Sequence, residues 1–251
     1  MTETNLLSEE SMMNQESLAG ARHRETLRHA RPRTREELKT YVKTFLDLDV
    51  PDVRLCPDHS SPMDYLWNSF SIDNPSSIIH HQSSVIHPPC SDSIVWANRA
   101  GGKTELAAIA TLLDAFFKPN CHVRILGGSG EQSSRLYDYL VRFLRRGFEE
   151  SLAGPVRKGG CRFANGSSVE VLTQSATSVR GTHVQKLRCD EVELFDEDVF
   201  AAAKFTTLST DVCVGSMELI STMHKPYGIM QREVAAAKEL GVPVLDRKSV
   251  V

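Results

Sequence analysis

The stretch that decides the fold is SIVWANRAGGKTELAAIATLLDAF, residues Ser93–Phe116. It begins with the short apolar run Ile94–Trp96, which is typical of a buried strand. A small polar loop that ends in Gly-Gly-Lys-Thr follows, and beyond it apolar residues recur at helical spacing. The sequence therefore predicts a buried strand, a tight loop and a long helix in direct succession.

The loop Gly101–Thr104 supplies the groups that a nucleotide phosphate requires. Glycines let several backbone N–H groups converge on phosphate oxygens, a lysine binds the terminal phosphates, and a threonine hydroxyl can bind Mg²⁺. The helix that begins near Thr104 adds the positive end of its dipole. The strict pattern G-x-x-x-x-G-K-[ST] has glycine where this chain has Ala97. A glycine-rich turn that binds nothing is the alternative interpretation.

Two adjacent acids favour phosphate chemistry over a simple turn. Asp190 and Glu191 end the candidate strand VQKLRCDE, where an α/β sheet places its ligands. In phosphoryl transfer one such acid holds Mg²⁺ and a second activates the attacking water, and we assign these roles to Asp190 and Glu191 respectively. The alternative is a solvated acidic turn or helix start. That alternative suits better the acids that follow, which are Glu193, Asp196, Glu197 and Asp198.

Three further segments complete the predicted sheet. CHVRILGG reads as a strand before a helix, and VGSMELISTM as another strand. CRFANGSSVEVL has two alternating runs around Asn165-Gly166, which indicates a hairpin with a two-residue turn. The predicted fold class is α/β: a P-loop NTPase of the additional-strand type, with a mostly parallel twisted sheet, flanking helices and an inserted β-hairpin.

The region before the main fold is predicted to cover it rather than to carry chemistry. Thr34 and Glu37 form a capping box ahead of an amphipathic helix. The helix has one apolar face, made of Leu38, Tyr41, Val42, Phe45 and Leu46. The arginines between Arg22 and Arg35 are interpreted as a solvated segment. Residues 51–89 are predicted to be irregular covering structure with one apolar island, PMDYLWNSF.

Two weaker site hypotheses arise from the same region. Three histidines, His80, His81 and His87, lie close together, but no cysteine or carboxylate stands at metal-ligand spacing, so we interpret them as surface residues. Gln82 and Tyr65 are proposed to contact an adenine ring, on position alone.

Composition and charge exclude several classes of protein. The net charge of −3 argues against a strongly basic nucleic-acid coat, although a local basic groove is compatible with it. The six cysteines are scattered with no CxxC pair, which indicates neither a disulfide framework nor a zinc site and suits a reducing cytoplasm. No window has the roughly 18 apolar residues of a membrane span, and the N-terminus lacks a signal-peptide pattern.

Four runs together resemble a known family. In chain order they are WANRAGGKT, ILGGSGEQSSRLYDYL, SVRGTHVQKLRCDE and LISTMHKPYG. They are similar to the ATPase motor of the large terminase subunit of tailed bacteriophages. Phosphate loops of that family often lack the first glycine and carry an arginine, which Ala97 and Arg99 match. The resemblance covers residues 94–230.

The resemblance implies a set of site residues for ATP and Mg²⁺. The catalytic set is Glu191, Arg99 and Lys103, with Arg99 stabilising charge on the γ-phosphate. The nucleotide-binding set is Ala100, Gly101, Gly102, Lys103, Thr104, Glu105 and Thr222. The metal ligands are Thr104 and Asp190. Ser221-Thr222-Met223 matches the family's coupling motif, and Arg180-Gly181 matches the run before the acidic pair, predicted to face DNA or to couple to the nucleotide.

The resemblance also implies a function and its partners. The expected activity is ATP hydrolysis that drives double-stranded DNA into a preformed capsid. The expected assembly is a homo-oligomeric ring on the portal protein, together with the small terminase subunit, in the host cytoplasm and with no membrane partner.

The expected organisation has four segments. Residues 1–33 are predicted to be disordered or loosely ordered, 34–90 to form the N-terminal helix and covering segment, and 91–245 to form the ATPase domain. Full-length members of the family carry a nuclease domain after the ATPase, and we expect this chain to stop before it. Residues 246–251, DRKSVV, match a translated sequencing adapter and are interpreted as a non-native tail.

Two other functions remain compatible with the motifs. A related P-loop translocase or helicase would share the sheet and the motif roles, and a helicase would carry a second motor-like domain. A non-hydrolysing nucleotide-binding scaffold would have no chemical need for the base that we assign to Glu191.

Overall fold

The computed structural model describes residues 20, 22–54, 59–71, 92–99, 101–180, 183–223 and 225–247. Its helices are 22–29 (α1), Arg35–Leu46 (α2), Pro62–Ser71 (α3), Lys103–Phe117 (α4), Gly130–Leu144 (α5), Ala176–Arg180 (α6), Glu197–Ala203 (α7) and Ile229–Leu240 (α8). Its strands are Ser93–Ala97 (β1), His122–Gly127 (β2), Gly160–Arg162 (β3), Ser168–Leu172 (β4), Lys186–Asp190 (β5), Ser216–Ser221 (β6) and Val244–Arg247 (β7). Short 3₁₀ turns cover Glu149–Ser151 and Val192–Leu194.

The strands form one sheet in the order β3-β4-β2-β5-β6-β1-β7. Every pairing is parallel except that of β3 with β4. Strand β6 lies between β1, which leads into the glycine loop, and β5, which ends in the acidic pair. This intervening strand confirms the predicted additional-strand architecture. Strand β7 pairs beside β1 and extends through Arg247.

Alternating residues along the strands pack into two apolar cores, one on each face of the sheet. Val95, Ile125 and Ile220 pack with helices α2 to α5. Their neighbours in sequence, such as Leu126 and Leu219, pack instead with α7 and α8. Strands that bury both faces are expected of a parallel sheet covered on both sides by helices. The glycine loop and the acidic pair are therefore held at the carboxyl end of a sheet with two cores.

The amino-terminal helices dock on the first of these cores. The capping box of Thr34 and Glu37 is present, and the predicted apolar face of α2 is buried, as expected. The island PMDYLWNSF, predicted within irregular structure, is the helix α3. Its apolar residues recur at helical spacing over less than three turns, a signal too short to separate from a covering loop.

The interpretation of the arginine-rich segment as solvated is wrong for Arg28. Its side chain is only 15% exposed, and it donates a hydrogen bond to the Gly147 carbonyl oxygen. The guanidinium lies 5.5 Å from the ring centroids of both Phe45 and Phe148. A guanidinium can stack on aromatic rings while keeping polar contacts, so a basic run can anchor a segment as well as solvate it.

The hairpin forms, but its turn differs from the predicted one. Gly166 has a φ of 87° whereas Asn165 is not in the left-handed region, and the Gly166 N–H donates to the Phe163 carbonyl. This is a three-residue loop with a left-handed glycine, not the two-residue turn that needs both residues left-handed. The Asn165 amide instead donates to the carbonyls of Ala115 and Phe116 at the end of α4.

An ionic cluster lies in the centre of the molecule. Arg188 of β5 contacts Asp114 of α4 at 2.5 Å and Glu218 of β6 at 3.3 Å, and all three are buried. Lys118 is also paired with Asp114. Although burial would raise the pKa of Asp114, the neighbouring Lys118 and Arg188 hold it well below the usual value. The cluster therefore joins the helix of the glycine loop to the two strands that carry the acidic pair and the coupling motif.

The state of the cysteines and the polarity of the helices were both predicted from composition. Among the described residues, Cys121, Cys161, Cys189 and Cys213 are buried and form no disulfide. Within the described ranges, no helix is long and apolar enough to cross a membrane.

Candidate nucleotide site

The glycine loop is shaped by backbone conformations that few residues adopt. Gly102 precedes α4 in the left-handed region, at φ 72°. A Cβ on Gly101 would lie 3.1 Å from the Asn98 carbonyl oxygen, so a side chain there would crowd the turn. Ala97, which stands at the position of the strict pattern's first glycine, is the last residue of β1, is buried and has no positive φ. Alanine is therefore accommodated, because this position is ordinary strand backbone.

Lys103 is held inside the loop. The residue is 6% exposed, and its Nζ donates to the Asn98 carbonyl at 3.2 Å. The same Nζ lies 3.9 Å from Glu191 Oε1. The ammonium group is thus positioned between the glycine loop and the acidic pair, where a terminal phosphate would meet both.

Asp190 faces the loop from the end of β5. The Thr104 hydroxyl donates to Asp190 Oδ2 at 3.0 Å, and the Glu191 N–H donates to Oδ1 at 3.1 Å. Asp190 is 2% exposed. Burial raises the pKa of this carboxyl to about 6, against the lowering effect of the Thr104 hydrogen bond. The fold therefore holds a carboxylate in an environment that disfavours its charge.

Glu191 has a left-handed backbone, at φ 54°. This conformation turns the chain sharply after β5, so adjacent acids take different environments. Glu191 Oε2 accepts from the Ser221 and Thr222 hydroxyls at 3.4 and 3.5 Å, at the limit of hydrogen bonding. The acid predicted to activate water thus contacts the segment matched to the coupling motif.

These groups line one cavity of about 770 Å³. The predicted site residues in its lining are Arg99, Gly101, Gly102, Lys103, Thr104, Glu105, Glu191 and Thr222. Asp190 lies just beneath, bonded to Thr104. Ala100 is outside the described residues. The structure therefore brings together the described members of the predicted catalytic, nucleotide-binding and metal-binding sets.

Four residues of the lining were not predicted from the sequence as site residues: Leu194 after the acidic pair, and three residues of α5. Gln132, Arg135 and Tyr139 lie on one face of α5 and border the same cavity. They follow β2 at helical spacing, so a rule that places ligands after strand ends could have found Gln132.

Arg180 lies away from this cavity. It is exposed at the end of α6 and borders a separate hollow of about 310 Å³ together with Ala201 and Phe205. Gly181 lies outside the described residues. A role for Arg180 in contacting DNA or coupling to the nucleotide stays a prediction.

The prediction of a solvated acidic turn or helix start is wrong for Glu193, which is buried. It is 3% exposed, and its Oε1 accepts from the Met230 N–H at 2.7 Å, at the start of α8. A buried carboxylate at a helix N-terminus is stabilised by the backbone N–H groups there. Asp196 caps α7 by accepting from Asp198 and Val199. Glu193 therefore contacts the start of α8, whereas Asp196 lies at a helix start, as one form of the prediction expects.

The adenine prediction is wrong for Tyr65. Its ring is fully buried, and its hydroxyl donates to Glu218 Oε2 at 2.6 Å, inside the ionic cluster. Gln82 and the three histidines, His80, His81 and His87, lie outside the described residues. In the described ranges no group of three or more His, Cys, Asp or Glu side chains is placed to hold a metal.

Solved structures with a similar fold exist, whereas the chain has no match in sequence. No family sequence model matches the chain, and no curated protein sequence matches it. The large terminase of bacteriophage HK97 matches 86% of the chain with a TM-score of 0.61 and 15% identity. The large terminase of a thermophilic bacteriophage matches 71% with a TM-score of 0.52 and 15% identity.

The chain shares the fold of these large terminases. A complex of the thermophilic phage's large terminase with ADP also matches 71% of the chain, with a TM-score of 0.52 and 16% identity. The chain spans 44% of the length of each of these terminases. Their common fold agrees with the α/β architecture predicted from the sequence.

Proposed function

We propose that this chain hydrolyses ATP to move double-stranded viral DNA into a capsid. The observation that carries the proposal is the convergence of Lys103, the Thr104–Asp190 pair and Glu191 on one cavity. A binding-only protein has no need of an acid beside the position of the terminal phosphate. The similarity in fold to the large terminase of the thermophilic phage, whose structure was determined with ADP, supports the proposal.

Each group around the cavity has a separate proposed role in ATP hydrolysis. The N–H groups of the glycine loop and the start of α4 bind phosphate oxygens. Lys103 leaves the Asn98 carbonyl to bind the terminal phosphate, and Arg99 stabilises charge on the same group. Glu191 orients a water and takes its proton while the water oxygen bonds to the γ-phosphorus. The bond from that phosphorus to the bridging oxygen breaks, and its electrons leave with ADP.

The donor set fits a magnesium ion. The Thr104 hydroxyl and an Asp190 carboxylate oxygen are hard oxygen ligands 3.0 Å apart. Proteins commonly hold Mg²⁺ through one or two such groups together with substrate phosphates. When bound, the ion would neutralise phosphate charge. Thr104 and Asp190 are the residues proposed to hold it.

The coupling of hydrolysis to movement is assigned to Thr222. Its hydroxyl contacts Glu191, and it follows β6 directly. A change at Glu191 after hydrolysis would therefore alter contacts at the end of β6. We place the assembly at the capsid portal in the host cytoplasm, as a ring of copies of this chain with portal protein and small terminase subunit. These partners come from the resemblance and the shared fold.

The Glu191→Gln variant tests the proposal. The substitution keeps shape and hydrogen bonding but removes the base, so single-turnover ATP hydrolysis should fall about 10²–10⁴-fold. Affinity for ATP with Mg²⁺ should remain close to that of the wild type. Glu197→Gln is the matched control, since Glu197 is exposed on α7 and pairs only with Arg232 in the described structure.

Two results would contradict the proposal. Wild-type hydrolysis in Glu191→Gln would place the base elsewhere, and Glu193 is a poor replacement because it is buried against α8. No hydrolysis by the wild type, even with DNA and the portal partner present, would favour a nucleotide-binding scaffold.

A further inference from the structure

The first turn of α5 is fitted closely against the acidic loop, which is the turn after β5 from Glu191 to Leu194. A Cβ on Gly127 would lie 2.5 Å from the Ser133 backbone nitrogen. A Cβ on Gly128 would lie 2.8 Å from the Glu191 carbonyl oxygen. The Gly128 N–H donates to the Asp190 carbonyl at 3.0 Å. Two glycines therefore allow the chain to fold back so that α5 begins beside the acidic pair.

Gln132 projects from this turn into the nucleotide cavity. It borders the same space as Lys103 and Glu191. A Cβ on Gly128 would lie 2.7 Å from Gln132 Oε1 and 2.8 Å from the Glu191 carbonyl oxygen. Gln132 Oε1 therefore lies beside the acidic loop. The oxygen is buried and has no hydrogen-bond partner among the described residues. A buried amide oxygen without a hydrogen bond is unfavourable, so a partner is expected from the cavity.

We propose that Gln132 binds the attacking water together with Glu191, an inference that rests on the proposed ATPase function. A neutral carboxamide can accept one water hydrogen through Oε1 and donate Nε2–H to a γ-phosphate oxygen. Glu191 then receives the other water hydrogen as the phosphorus–oxygen bond forms. With one contact on the water and one on the phosphate, Gln132 fixes the angle of attack, and fixed geometry is a large part of phosphoryl-transfer catalysis.

The other two α5 residues at the cavity suit this role less well. Arg135 already donates to Glu131 Oε1 at 2.7 Å, and its side chain is 65% exposed. Its charge also prevents it from accepting a hydrogen from water. Tyr139 lies further along α5, away from the Gly128 contact. Gln132 is the α5 residue with both a buried acceptor and a position beside the acidic loop.

Gln132→Met tests the proposal because methionine keeps the length of the side chain and removes its hydrogen bonds. We expect kcat to fall about 100-fold, as when one oriented hydrogen-bonding group is removed. Affinity for ADP, measured by calorimetry with Mg²⁺, should change less than about twofold, whereas affinity for ADP with tetrafluoroaluminate, which mimics the transferring phosphate, should fall with kcat. Ser134→Ala on the same turn is the control, since its hydroxyl bonds only within α5 in the described structure.

The outcomes separate this inference from the function on which it rests. Turnover that is lost in Glu191→Gln but kept in Gln132→Met would overturn the role of Gln132 alone. Equal losses of ADP and ADP–tetrafluoroaluminate affinity would also overturn it, because they indicate ground-state binding. No turnover in the wild type would overturn both. If Gln132→Met does not fold, Gln132→Ala gives the same comparison.

Discussion

The fold buries Asp190 in an environment that disfavours the charged form of its carboxyl group. Its pKa is raised to about 6 from 3.8, chiefly by burial. In the absence of metal and nucleotide, the folded protein keeps a proton that the unfolded chain releases between these pH values. Stability should therefore fall as pH rises from about 4 to 6, and the loss should persist at pH 7.

Asp190→Asn should remove this pH dependence. Asparagine can still accept the Thr104 hydrogen bond but carries no charge. We expect the variant to exceed the wild type in unfolding free energy by about 1–3 kcal/mol at pH 7 and by little at pH 4. Urea denaturation of both proteins across this range measures the difference. Equal stability at pH 7 would mean that the carboxylate is not disfavoured there.

At the residue scale, the sequence predicts groups whose chemistry is tied to a motif. Lys103, Thr104 and Asp190 follow from loop and strand patterns because phosphate and metal ligation require those residue types. Gln132 and Tyr65 do not. The position of Gln132 depends on how α5 folds back over two glycines. The hydroxyl of Tyr65 bonds to Glu218, which is far away in sequence.

The junction between β2 and α5 is an element whose geometry depends on the absence of a side chain. A Cβ on Gly128 would approach the Leu194 Cβ at 2.6 Å and the Glu191 carbonyl oxygen at 2.8 Å. Since one of these atoms is backbone, relief requires movement of α5 or of the acidic loop. The glycine therefore sets the distance between the helix and the proposed catalytic acid.

Gly128→Ala should consequently reduce hydrolysis at least about tenfold and lower the unfolding free energy by about 1–3 kcal/mol through overpacking. Gly130→Ala is a matched control in the first turn of α5, because a Cβ there meets nothing within 4 Å. That variant should be neutral or stabilising by up to about 1 kcal/mol. Rates and denaturation curves measured in parallel give the comparison. Equal behaviour of the two variants would contradict this account of the junction.

Elements with a strong periodic signal are predicted well, whereas short elements and those shaped by contacts with another element are not. Helix α2 forms with its capping box because both the period and the cap are local. The turn at Asn165 differs from the predicted two-residue turn. The Asn165 amide donates hydrogen bonds to the end of α4, a contact that no local sequence pattern contains. The length of α3 is too short for its period to be decisive.

The whole molecule depends on the buried ionic cluster, which joins central strands of the sheet to two helices. Arg188 holds Asp114 and Glu218, while Tyr65 and Ser69 of α3 also bond to Glu218. Because these partners come from α3, α4, β5 and β6, helix α3 should unfold together with the sheet. Strand order itself follows from the α/β pattern, but this cluster could not be predicted, since its charges look like surface residues in sequence.

Arg188→Met should lower the unfolding free energy by about 3–5 kcal/mol, because it removes the guanidinium paired with buried Glu218 and leaves buried Asp114 with Lys118 alone. Arg232→Met is the control, because its pair with Glu197 is exposed to solvent and should contribute little to stability. Tryptophan fluorescence during urea denaturation can follow both Trp67 in α3 and Trp96 in β1. Separate transitions for single-tryptophan variants would show that α3 is not part of the same cooperative unit.

The left-handed backbone of Glu191 has a consequence for protein engineering. A residue other than glycine in this region is held at an energetic disadvantage of about 1–2 kcal/mol. A procedure that selects substitutions for thermal stability alone would favour glycine or asparagine at position 191, and it would report the change as an improvement. The same substitution would delete the proposed base. Stabilised versions of this chain should therefore be built with position 191 fixed in advance.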